Sequence, residues 1–475
     1  MSSPQELVAF WNACKGYPGP LTAGTVVDLG VTFLGGTKKL FVRESYEKML
    51  PILVSQLENQ AHPRVLVRGT PGIGKTHFGL FLLLYYARQN ATVVYQNGPM
   101  NTCYLFSPTV VYTSQGVEVG VFGEHLKGDT IYLVDSFTPN IATVRSILLT
   151  SPRKGIWNDF YKHSTSLFMP IWSWDEMELL RSLLYPSLGT TQVKEKYDRW
   201  GGVPRYVLEF FGDEEKQKKL DEVINSSDLE MIEKAVGETD GAQGTSHLLV
   251  HMVVLDDSTF QSKTHRFASD YVCKSVFDRL LQGQREKLVA FLRGIRDLGE
   301  AGGMRGHMFE PWAHKLLLQG GKFQVRNLRT GDRDTLTLPG LQLKQFESLN
   351  DVADCDKSTY CVPVSKRFEA IDSFIKPDKV FQMTVSKTHP CKMRGLEDVV
   401  KILNHDSSNS SSNSSTSRRK KPKLEPHTVR LYFVVPKEIF STIGIQLYAN
   451  SDKEKSPRKN QDFPGVEQWA LMIEI

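Results

Sequence analysis

In the first third of the chain, short hydrophobic runs typical of β-strands alternate with longer segments whose hydrophobic residues recur at helical spacing. Short apolar runs of the β type, RVLVRG, ATVVYQN and IYLVDS, are separated by longer helical patterns such as THFGLFLLLYYARQN. We also expect strands at TCYLFS and GVEVGVFG, and a helix in LFVRESYEKMLPILVSQLENQ, where apolar residues recur at helical spacing. Strands that alternate with helices predict an α/β domain with a mainly parallel sheet.

The pattern changes twice toward the C-terminus. From residue 172 helical patterns dominate, including SWDEMELLRSLLY and EKYDRWGGVPRYVLEFFG. Past residue 260, two helical patterns, REKLVAFLRGIRDLG and GHMFEPWAHKLLLQGG, precede the β-like runs KFQVRNL, DTLTL, KVFQMTVS and VRLYFVVP. Between the last two runs, the Ser/Asn-rich tract at 405–426 has too little apolar surface to fold and is predicted to be a disordered loop.

Composition narrows the class of protein. The 475 residues are 40% hydrophobic and 23% charged, as in soluble globular proteins, which excludes wholesale disorder and fibrous repeats. The six cysteines are scattered without C-x-x-C pairs, so we expect reduced thiols, no zinc site and no disulfide framework. No secretory signal and no apolar stretch of about 18 residues is visible, so no membrane partner is expected. The net charge of +5 permits binding to nucleic acid without indicating it.

The strongest chemical motif is GTPGIGKT at residues 69–76, which matches the phosphate-loop pattern G-x-x-x-x-G-K-[ST] between an apolar β run and an apolar helix. Its glycines would let backbone N–H groups turn toward a phosphate at the start of the helix. Lys75 is expected to reach the β and γ phosphates, and Thr76 to ligate Mg²⁺. ATP and Mg²⁺ are the expected cofactors, with GTP as the alternative nucleotide, since no guanine-selective N-K-x-D segment is present. The predicted nucleotide-binding residues are Gly69, Thr70, Pro71, Gly72, Ile73, Gly74, Lys75 and Thr76.

Three further residues complete the predicted nucleotide site. Asp135 ends the apolar run IYLVD and is expected to hold Mg²⁺, although an aspartate that starts an ordinary turn has the same pattern. Arg153 in SPRK and Arg205 in GGVPR are candidates for stabilising charge in the transition state, or else solvated surface arginines. The residue after Asp135 is Ser136 rather than a second acid, so slow hydrolysis or a binding switch is predicted, with Glu124 as an alternative base.

Several of these motifs occur together in a known family. In the order LFVRESYEKML, VLVRGTPGIGKTHFGLFLLLYYAR, IYLVDS, SPRK and RWGGVPRYVL, residues 35–215 resemble the NTPase module of Crinkler effectors of oomycetes and fungi, and of the related retrotransposon hot spot proteins of trypanosomes. The resemblance implies a P-loop NTPase followed by a nuclease of the restriction-endonuclease-like fold. It also implies a secreted effector that acts on DNA in the host nucleus and modulates host cell death or immunity. The sequence departs from the family in having no LFLAK-type header motif.

The implied nuclease needs carboxylates on a helix and on neighbouring strands to hold Mg²⁺. Glu310 in GHMFEPWAHKLLL and Asp372 in FEAIDSFIKPDKVFQMTVS are the first candidates for catalytic and metal-binding residues. Gln382 resembles the family pattern in which glutamine replaces the second acid, and Lys387 or Lys376 would stand for the family's lysine. The alternative is a degenerate domain that binds nucleic acid without cutting it.

The predicted fold class is therefore α/β: a P-loop NTPase with a mainly parallel sheet, a helical subdomain and a C-terminal α/β restriction-endonuclease-like domain. The predicted boundaries are an N-terminal extension at 1–35, the P-loop NTPase core at 36–165, a helix-rich subdomain at 166–260, and the nuclease-like domain at 261–475 with a disordered basic insertion at 405–427.

The insertion carries the tract RRKKPKLEP, whose five cationic side chains are typical of a nuclear import signal or a nucleic-acid contact. The expected partners are DNA, a nuclear import receptor that binds Arg418–Lys423, and a second copy of the chain in a homo-oligomer. Two other functions stay open at this point. One is a non-catalytic nucleotide switch with a degenerate nuclease domain, and the other is a retrotransposon hot spot-like protein resident in the nucleus of the producing cell.

Overall fold

The computed structural model describes residues 5–32, 34–36, 38–59, 63–116, 119–140, 144–238, 244–283, 285–294, 302–364, 368, 371–409, 428–449 and 463–474. The chain divides into two compact units. The first comprises Met1–Leu288 and Asp297–Met304, and the second comprises Val289–Arg296 and Arg305–Ile475.

The first unit combines a central sheet with helices. Its helices are α1 (Gln5–Gly16), α2 (Glu44–Leu57), α3 (Lys75–Arg88), α4 (Lys154–Tyr161), α5 (Trp174–Leu184), α6 (Thr190–Trp200), α7 (Glu214–Ser226), α8 (Leu229–Val236) and α9 (Asp270–Gly283). Its strands are β1 (Val26–Asp28), β2 (Lys39–Phe41), β3 (Arg64–Arg68), β4 (Val93–Asn97), β5 (Thr102–Phe106), β6 (Val111–Gln115), β7 (Ile131–Asp135), β8 (Arg145–Thr150), β9 (Thr165–Phe168), β10 (Val250–Val254) and β11 (Lys263–Phe267).

The central sheet has seven strands in the order β6-β5-β4-β7-β8-β3-β9. The strands β4, β7, β8, β3 and β9 are parallel, and β5 and β6 add antiparallel at one edge. The prediction of an α/β protein with a mainly parallel sheet is therefore confirmed. Because parallel strands end at the same edge, this topology brings the residues that follow β3, β8 and β7 together, with Arg68 paired to Thr150 and Leu149 to Asp135.

One predicted strand is wrong. Of the segment GVEVGVFG, the described residues 116 and 119–123 are not in a strand, and 119–123 lie in the 3₁₀ helix Val119–His125. Phe122 is fully buried, whereas Val121 is 42% exposed. The segment is therefore anchored in the core by one aromatic side chain and not by one face of a strand, which is why its apolar alternation was misleading.

The elements from residue 285 onward belong to the second unit, except that the first residues of its first two helices, up to Leu288 and up to Met304, lie in the first unit. The helices of the second unit are α10 (Arg285–Gly294), α11 (Gly302–Gln319), α12 (Met393–Asn409) and α13 (Lys437–Phe440). Its strands are β12 (Gly321–Asn327), β13 (Arg333–Leu338), β14 (Gln342–Phe346), β15 (Thr359–Pro363), β16 (Ser373–Ile375), β17 (Lys379–Met383), β18 (Cys391–Lys392), β19 (Val429–Pro436), β20 (Tyr448–Ala449) and β21 (Val466–Ile473).

Eight of these strands form a mixed sheet in the order β13-β12-β21-β19-β17-β16-β15-β14. The strands β15, β16 and β17 form an antiparallel meander, and β19 and β21 continue parallel to β17. The helix α12 lies in the connection from β17 to β19, and its apolar side chains pack in one core with those of β19. This arrangement brings the residues at the start of β16 beside those at the end of β17.

The predicted disordered tract is partly helical, because α12 continues to Asn409 and so includes residues 405–409. The basic residues Arg418–Lys423 lie outside the described residues. Within the described part of the chain, no helix is both long enough and apolar enough to cross a membrane.

Candidate functional site

The phosphate loop connects β3 to α3 and has a backbone that requires glycine. Gly72 and Gly74 have positive φ angles of +84° and +101°, a region that other residues rarely adopt. A Cβ atom at Gly74 would lie 2.8 Å from the hydroxyl of Tyr46, and one at Gly72 would lie 3.1 Å from Cβ of Arg205. The loop therefore has no room for a side chain at Gly72 or Gly74.

Lys75 is the first residue of α3 and is buried. Its ammonium donates to the carbonyl oxygens of Gly69 at 2.7 Å and Thr70 at 2.8 Å. The pKa of Lys75 is lowered to about 7, chiefly by burial and also by the charges of Arg205 and Arg153, whereas the charge of Asp135 opposes the shift. The side chain thus bends over the loop in a strongly electropositive region that favours an anion.

Asp135 is fully buried at the end of β7. Its Oδ1 accepts a hydrogen bond from the hydroxyl of Ser136 at 2.9 Å, whereas Oδ2 is buried and accepts none from the described residues. Burial raises the pKa of Asp135 despite the nearby Thr76 and Ser136 hydroxyls and Lys75 ammonium. A buried carboxylate oxygen without a donor, close to a threonine hydroxyl, fits a hard cation such as Mg²⁺.

The two predicted arginines line the same cleft as the loop. Arg153 follows β8 and precedes α4, and Arg205 begins the π-helical turn Arg205–Glu209. The cleft, called here the P-loop cleft, has a volume of about 1120 Å³. The structure therefore brings Lys75, Thr76, Arg153 and Arg205 together around one cavity, with Ser136 in its wall.

Sequence reasoning missed the apolar part of the P-loop cleft. It is lined by Leu34, Phe41, Leu180, Leu184 and Tyr185. These side chains come from the segment before α2 and from α5, so no local motif joins them. A cleft with cations at the loop and an apolar wall elsewhere suits a ligand with a phosphate chain and a flat ring system.

The acidic side chain that lines the P-loop cleft is Glu209. It is not Glu124, which the sequence offered as an alternative base. Glu124 is exposed in the 3₁₀ helix Val119–His125 and does not line the P-loop cleft. Glu209 does line it, one turn beyond Arg205. The only signal in the sequence was the i,i+4 spacing of Glu209 from Arg205, which is weak because such pairs are common on helices.

In the second unit, Glu310 on α11 and Asp372 immediately before β16 lie close together. The pKa of Asp372 is raised to about 7, chiefly by burial and also by the charge of Glu310, whereas a hydrogen bond from the Met383 amide opposes the shift. Gln382 on β17 is buried, and its Oε1 accepts no hydrogen bond from the described residues. Glu310, Asp372 and Gln382 thus offer three side chains with oxygen atoms of the type that bind Mg²⁺.

A chain of hydrogen bonds beside this carboxylate pair was not predicted. Nδ1 of His314 lies 2.8 Å from the hydroxyl of Tyr360, which accepts from Ser373 at 2.7 Å. Nε2 of His314 lies 4.0 Å from Oε1 of Glu310, and burial lowers the pKa of His314 to about 4. The i,i+4 spacing of Glu310 and His314 on one helix was the available signal.

The two candidate lysines lie in different surroundings. Lys387 lies in an exposed turn beyond the end of β17 and not on the strand itself. The ammonium of Lys376 is buried and donates to the carbonyl oxygen of Ala353 at 2.6 Å. Among the described residues, no group of three or more His, Cys, Asp or Glu side chains is arranged to hold a metal ion.

Comparison with known proteins identifies relatives. No family model matches the chain. The chain is 25% identical over 417 residues to Crinkler effector protein 15 of Phytophthora infestans, in an alignment that covers 84% of this chain and 66% of that protein. The chain is a distant homologue of Crinkler effectors. The resemblance to Crinkler effectors is therefore confirmed.

A second Crinkler relative gives the same result. Crinkler effector protein 16 of P. infestans is 25% identical over 415 residues, with 84% of this chain and 66% of that protein covered. The chain thus spans 66% of the length of each of these two Crinkler proteins.

Similar solved structures include two mutants of Thermotoga maritima RuvB. One has a TM-score of 0.25 and 14% identity and covers 61% of this chain and 91% of its own. The other has a TM-score of 0.25 and 13% identity and covers 62% and 91%. A TM-score this low does not establish a common topology.

If ATP occupies the P-loop cleft, the shifted pKa of Lys75 predicts that the protein takes up a proton on binding it at pH 8. The free amine has a pKa of about 7 and is mostly neutral at that pH, whereas a phosphate beside it favours the ammonium form. ATP affinity is therefore expected to fall as the pH rises from 7 to 9. Calorimetric titration with Mg·ATP in buffers of different ionisation enthalpy measures the uptake. The Lys75→Arg variant should take up no proton, and equal uptake by both proteins would assign the proton to another group.

Proposed function

We propose that this chain is a Crinkler-type effector whose first unit binds and slowly hydrolyses ATP and whose second unit acts on DNA in the host nucleus. The observation that carries the nucleotide proposal is the P-loop cleft, where a glycine loop, Lys75, Arg153 and Arg205 meet. Distant homology to Crinkler effectors supports the effector role.

In this proposal the residues of the P-loop cleft divide the work on the phosphates. Backbone N–H groups of the loop and the N-terminus of α3 bind the phosphate oxygens. The Lys75 ammonium exchanges the carbonyl oxygens of Gly69 and Thr70 for the β and γ phosphates. Arg153 and Arg205 stabilise the charge that develops on the transferred group.

Mg²⁺ fits this site, because Oδ2 of Asp135 is buried without a donor among the described residues. Thr76 and Asp135 would hold the ion or its water ligands, and the ion would neutralise charge on the phosphate oxygens. The hydroxyl of Ser136, which donates to Asp135, is not a general base. We therefore infer slow hydrolysis, and a bound state that lasts long enough to act as a switch.

ATP is the proposed nucleotide, with GTP as a weaker ligand. The apolar wall of the P-loop cleft, including Phe41, Leu180 and Leu184, favours stacking over hydrogen-bonded recognition of a base. Competition of ATP and GTP for a fluorescent ATP analogue tests this choice. We expect ATP to compete more strongly, and stronger competition by GTP would reverse the assignment.

For the second unit we propose metal-dependent cleavage of DNA at Glu310, Asp372 and Gln382. The close pair of carboxylates and the buried Oε1 of Gln382 support Mg²⁺ as the ion that these residues would hold. The ion would supply an activated water and neutralise charge on the scissile phosphate. Incubation of purified protein with plasmid DNA and Mg²⁺, with and without ATP, tests the activity and its coupling to the first unit.

A non-catalytic nucleotide switch is the second candidate function. It is favoured by two observations, namely Ser136 next to Asp135 and the position of Lys387 in an exposed turn beyond β17. Intact ATP binding without cleavage of DNA by any form of the protein would support it.

Nuclear import through Arg418–Lys423 is part of both proposals and is tested by localising a tagged chain with these residues replaced by alanine.

A further inference from the structure

The motif LFVRESYEKML contacts the phosphate loop through hydrogen bonds to its backbone, and Tyr46 of this motif also lines the P-loop cleft, as does Trp172. The motif supplies two of the side chains that hydrogen-bond to the loop backbone, Arg43 and Tyr46. A third, Trp172, comes from the segment between β9 and α5. We call Arg43, Tyr46 and Trp172 the loop brace. All three are buried, with relative exposures of 1%, 1% and 5%.

Tyr46 holds the peptide between Gly74 and Lys75. Its hydroxyl donates to the Gly74 carbonyl oxygen at 2.7 Å, which also accepts the first helical hydrogen bond of α3 from the Phe78 amide at 2.9 Å. The Tyr46 ring packs against Phe78 and Phe81 of α3, with ring centroids at 5.0 and 5.7 Å. The hydroxyl is therefore fixed relative to the first turn of the helix that follows the loop.

Trp172 and Arg43 hold the preceding peptide. The indole N–H of Trp172 donates to the Ile73 carbonyl oxygen at 2.8 Å, and Nη1 of Arg43 donates to the same oxygen at 3.4 Å. The guanidinium lies over the indole ring, 4.2 Å from its centroid. Two consecutive carbonyl groups of the loop are thus held by three side chains.

The guanidinium of Arg43 is itself held by a complete set of partners. Its N–H groups contact the carbonyl oxygens of Ile73, Pro170 and Ile171 and both carboxylate oxygens of Glu176. Lysine has fewer donors and no fork geometry, so it cannot replace this arrangement. Arg43 therefore fixes the loop relative to the segment that carries Trp172.

Because the peptide bond is planar, the contacts to these two carbonyl groups also set the direction of the N–H groups that would donate to the phosphate. In a trans peptide the C=O and the following N–H point in opposite directions. Because the loop brace holds the carbonyl groups of Ile73 and Gly74, the N–H groups of Gly74 and Lys75 point away from the brace side chains. Those are donors that a phosphate loop uses to bind its anion.

From this geometry we infer that the loop brace is a set of positioning residues that preorganises the Gly74 and Lys75 N–H groups for the phosphate chain of the nucleotide. The inference rests on the proposed nucleotide-binding function. It assigns Arg43 and Tyr46 of the LFVRESYEKML motif a role separate from that of Phe41, which belongs to the apolar wall of the P-loop cleft. A preorganised donor raises affinity because no ordering of the loop is needed when the ligand binds.

The test uses Tyr46→Phe and Trp172→Phe, each of which removes one donor and keeps a ring. Each is expected to weaken binding of Mg·ATP and of inorganic triphosphate about tenfold, the effect of one lost hydrogen bond. The Michaelis constant for ATP should rise by the same factor with kcat nearly unchanged. Adenosine, which has no phosphate, should bind both variants as it binds the wild type.

Two matched substitutions in the same unit serve as controls. Tyr132→Phe and Trp11→Phe each remove a buried donor that bonds elsewhere, Tyr132 to Gln96 at 2.5 Å and Trp11 to the Ser107 carbonyl oxygen at 2.9 Å. These two control variants should lower the melting temperature about as much as Tyr46→Phe and Trp172→Phe do. They should leave the affinity for triphosphate unchanged. An equal loss of triphosphate affinity in the controls would reduce the loop brace to general packing.

The remaining outcomes separate this inference from the proposed function. Binding of triphosphate by Tyr46→Phe and Trp172→Phe as tight as that by the wild type would overturn the loop brace and leave nucleotide binding intact. A loss of adenosine binding by Trp172→Phe equal to its loss of triphosphate binding would assign Trp172 to base stacking and overturn its positioning role. Wild-type protein that binds neither ATP nor triphosphate would overturn the proposed function, and the loop brace with it.

Discussion

Replacement of Lys75 by methionine should eliminate measurable ATP hydrolysis and leave the protein folded. The Lys75 ammonium is the buried cation at the start of α3 and lies within hydrogen-bond distance of the loop carbonyl oxygens of Gly69 and Thr70. In the nucleotide complex it would lie against the β and γ phosphates, where charge increases in the transition state. Loss of one such donor lowers the rate about 10²–10³-fold, and the low intrinsic rate expected with Ser136 brings the remainder below detection.

The stability of Lys75→Met separates a chemical role from a structural one. Burial lowers the pKa of Lys75 to about 7, so the charged form opposes folding of the free protein. Methionine has a similar length and no charge, and we expect the melting temperature without nucleotide to stay the same or to rise. Added Mg·ATP should raise the melting temperature of the wild type and not that of Lys75→Met.

Lys127→Met is a suitable control, since Lys127 is exposed and does not line the P-loop cleft. It should hydrolyse ATP at the wild-type rate. Hydrolysis by Lys75→Met at the wild-type rate would contradict the role of the P-loop cleft in catalysis. A lower melting temperature of Lys75→Met without nucleotide would instead assign Lys75 a structural part in the loop.

The phosphate loop was predictable from sequence because its chemistry is local. Eight consecutive residues specify the turn, the helix start and the lysine, and the flanking apolar patterns specify the strand and the helix. The loop brace was not predictable in the same way. Arg43 and Ile73 are 30 positions apart and Trp172 and Ile73 are 99 apart, so no spacing rule connects them until the sheet order is known.

The second unit illustrates a different limit of sequence reasoning. Glu310, Asp372 and Gln382 could be proposed because residue type and element type agreed with a known pattern. The position of a lysine could not, since β17 ends at Met383 and Lys387 lies in the turn beyond it. The end of a short strand depends on its neighbours in the sheet, and alternation along the sequence does not determine it.

Asp372→Asn should abolish the proposed metal-dependent DNA cleavage by the 475-residue chain. Asp372 lies between the helix that carries Glu310 and the strand that carries Gln382, and the amide of Met383 fixes its carboxylate through a hydrogen bond to Oδ2. Asparagine keeps the shape of the side chain and removes the charge that a divalent cation needs. Asp378→Asn is the matched control in the same hairpin, because Asp378 pairs with Lys379 at 2.6 Å and should leave cleavage intact.

Stability as a function of pH gives a second readout for Asp372 that does not depend on cleavage. Its pKa in the folded chain is raised from 3.8 to about 7 by burial and by Glu310. The folded state therefore keeps a proton that the unfolded chain has already lost, and the free energy of unfolding falls as the pH rises from 4 through 7. Asp372→Asn has no such proton, so at pH 8 without divalent cations it should be more stable than the wild type by about 1 kcal/mol or more, equivalent to about 2–4 °C.

Magnesium should remove this difference if the carboxylate pair is a metal site. At pH 8 the ion would neutralise the ionised pair and raise the melting temperature of the wild type, whereas Asp372→Asn would respond much less. Scanning calorimetry of the full chain measures the shift, and hydrogen exchange of the β16 and β17 amides assigns it to this region. Equal responses of both proteins to Mg²⁺, together with a pH dependence that survives in Asp372→Asn, would show that the pair is not a cation site and would leave the nucleotide switch as the function of the chain.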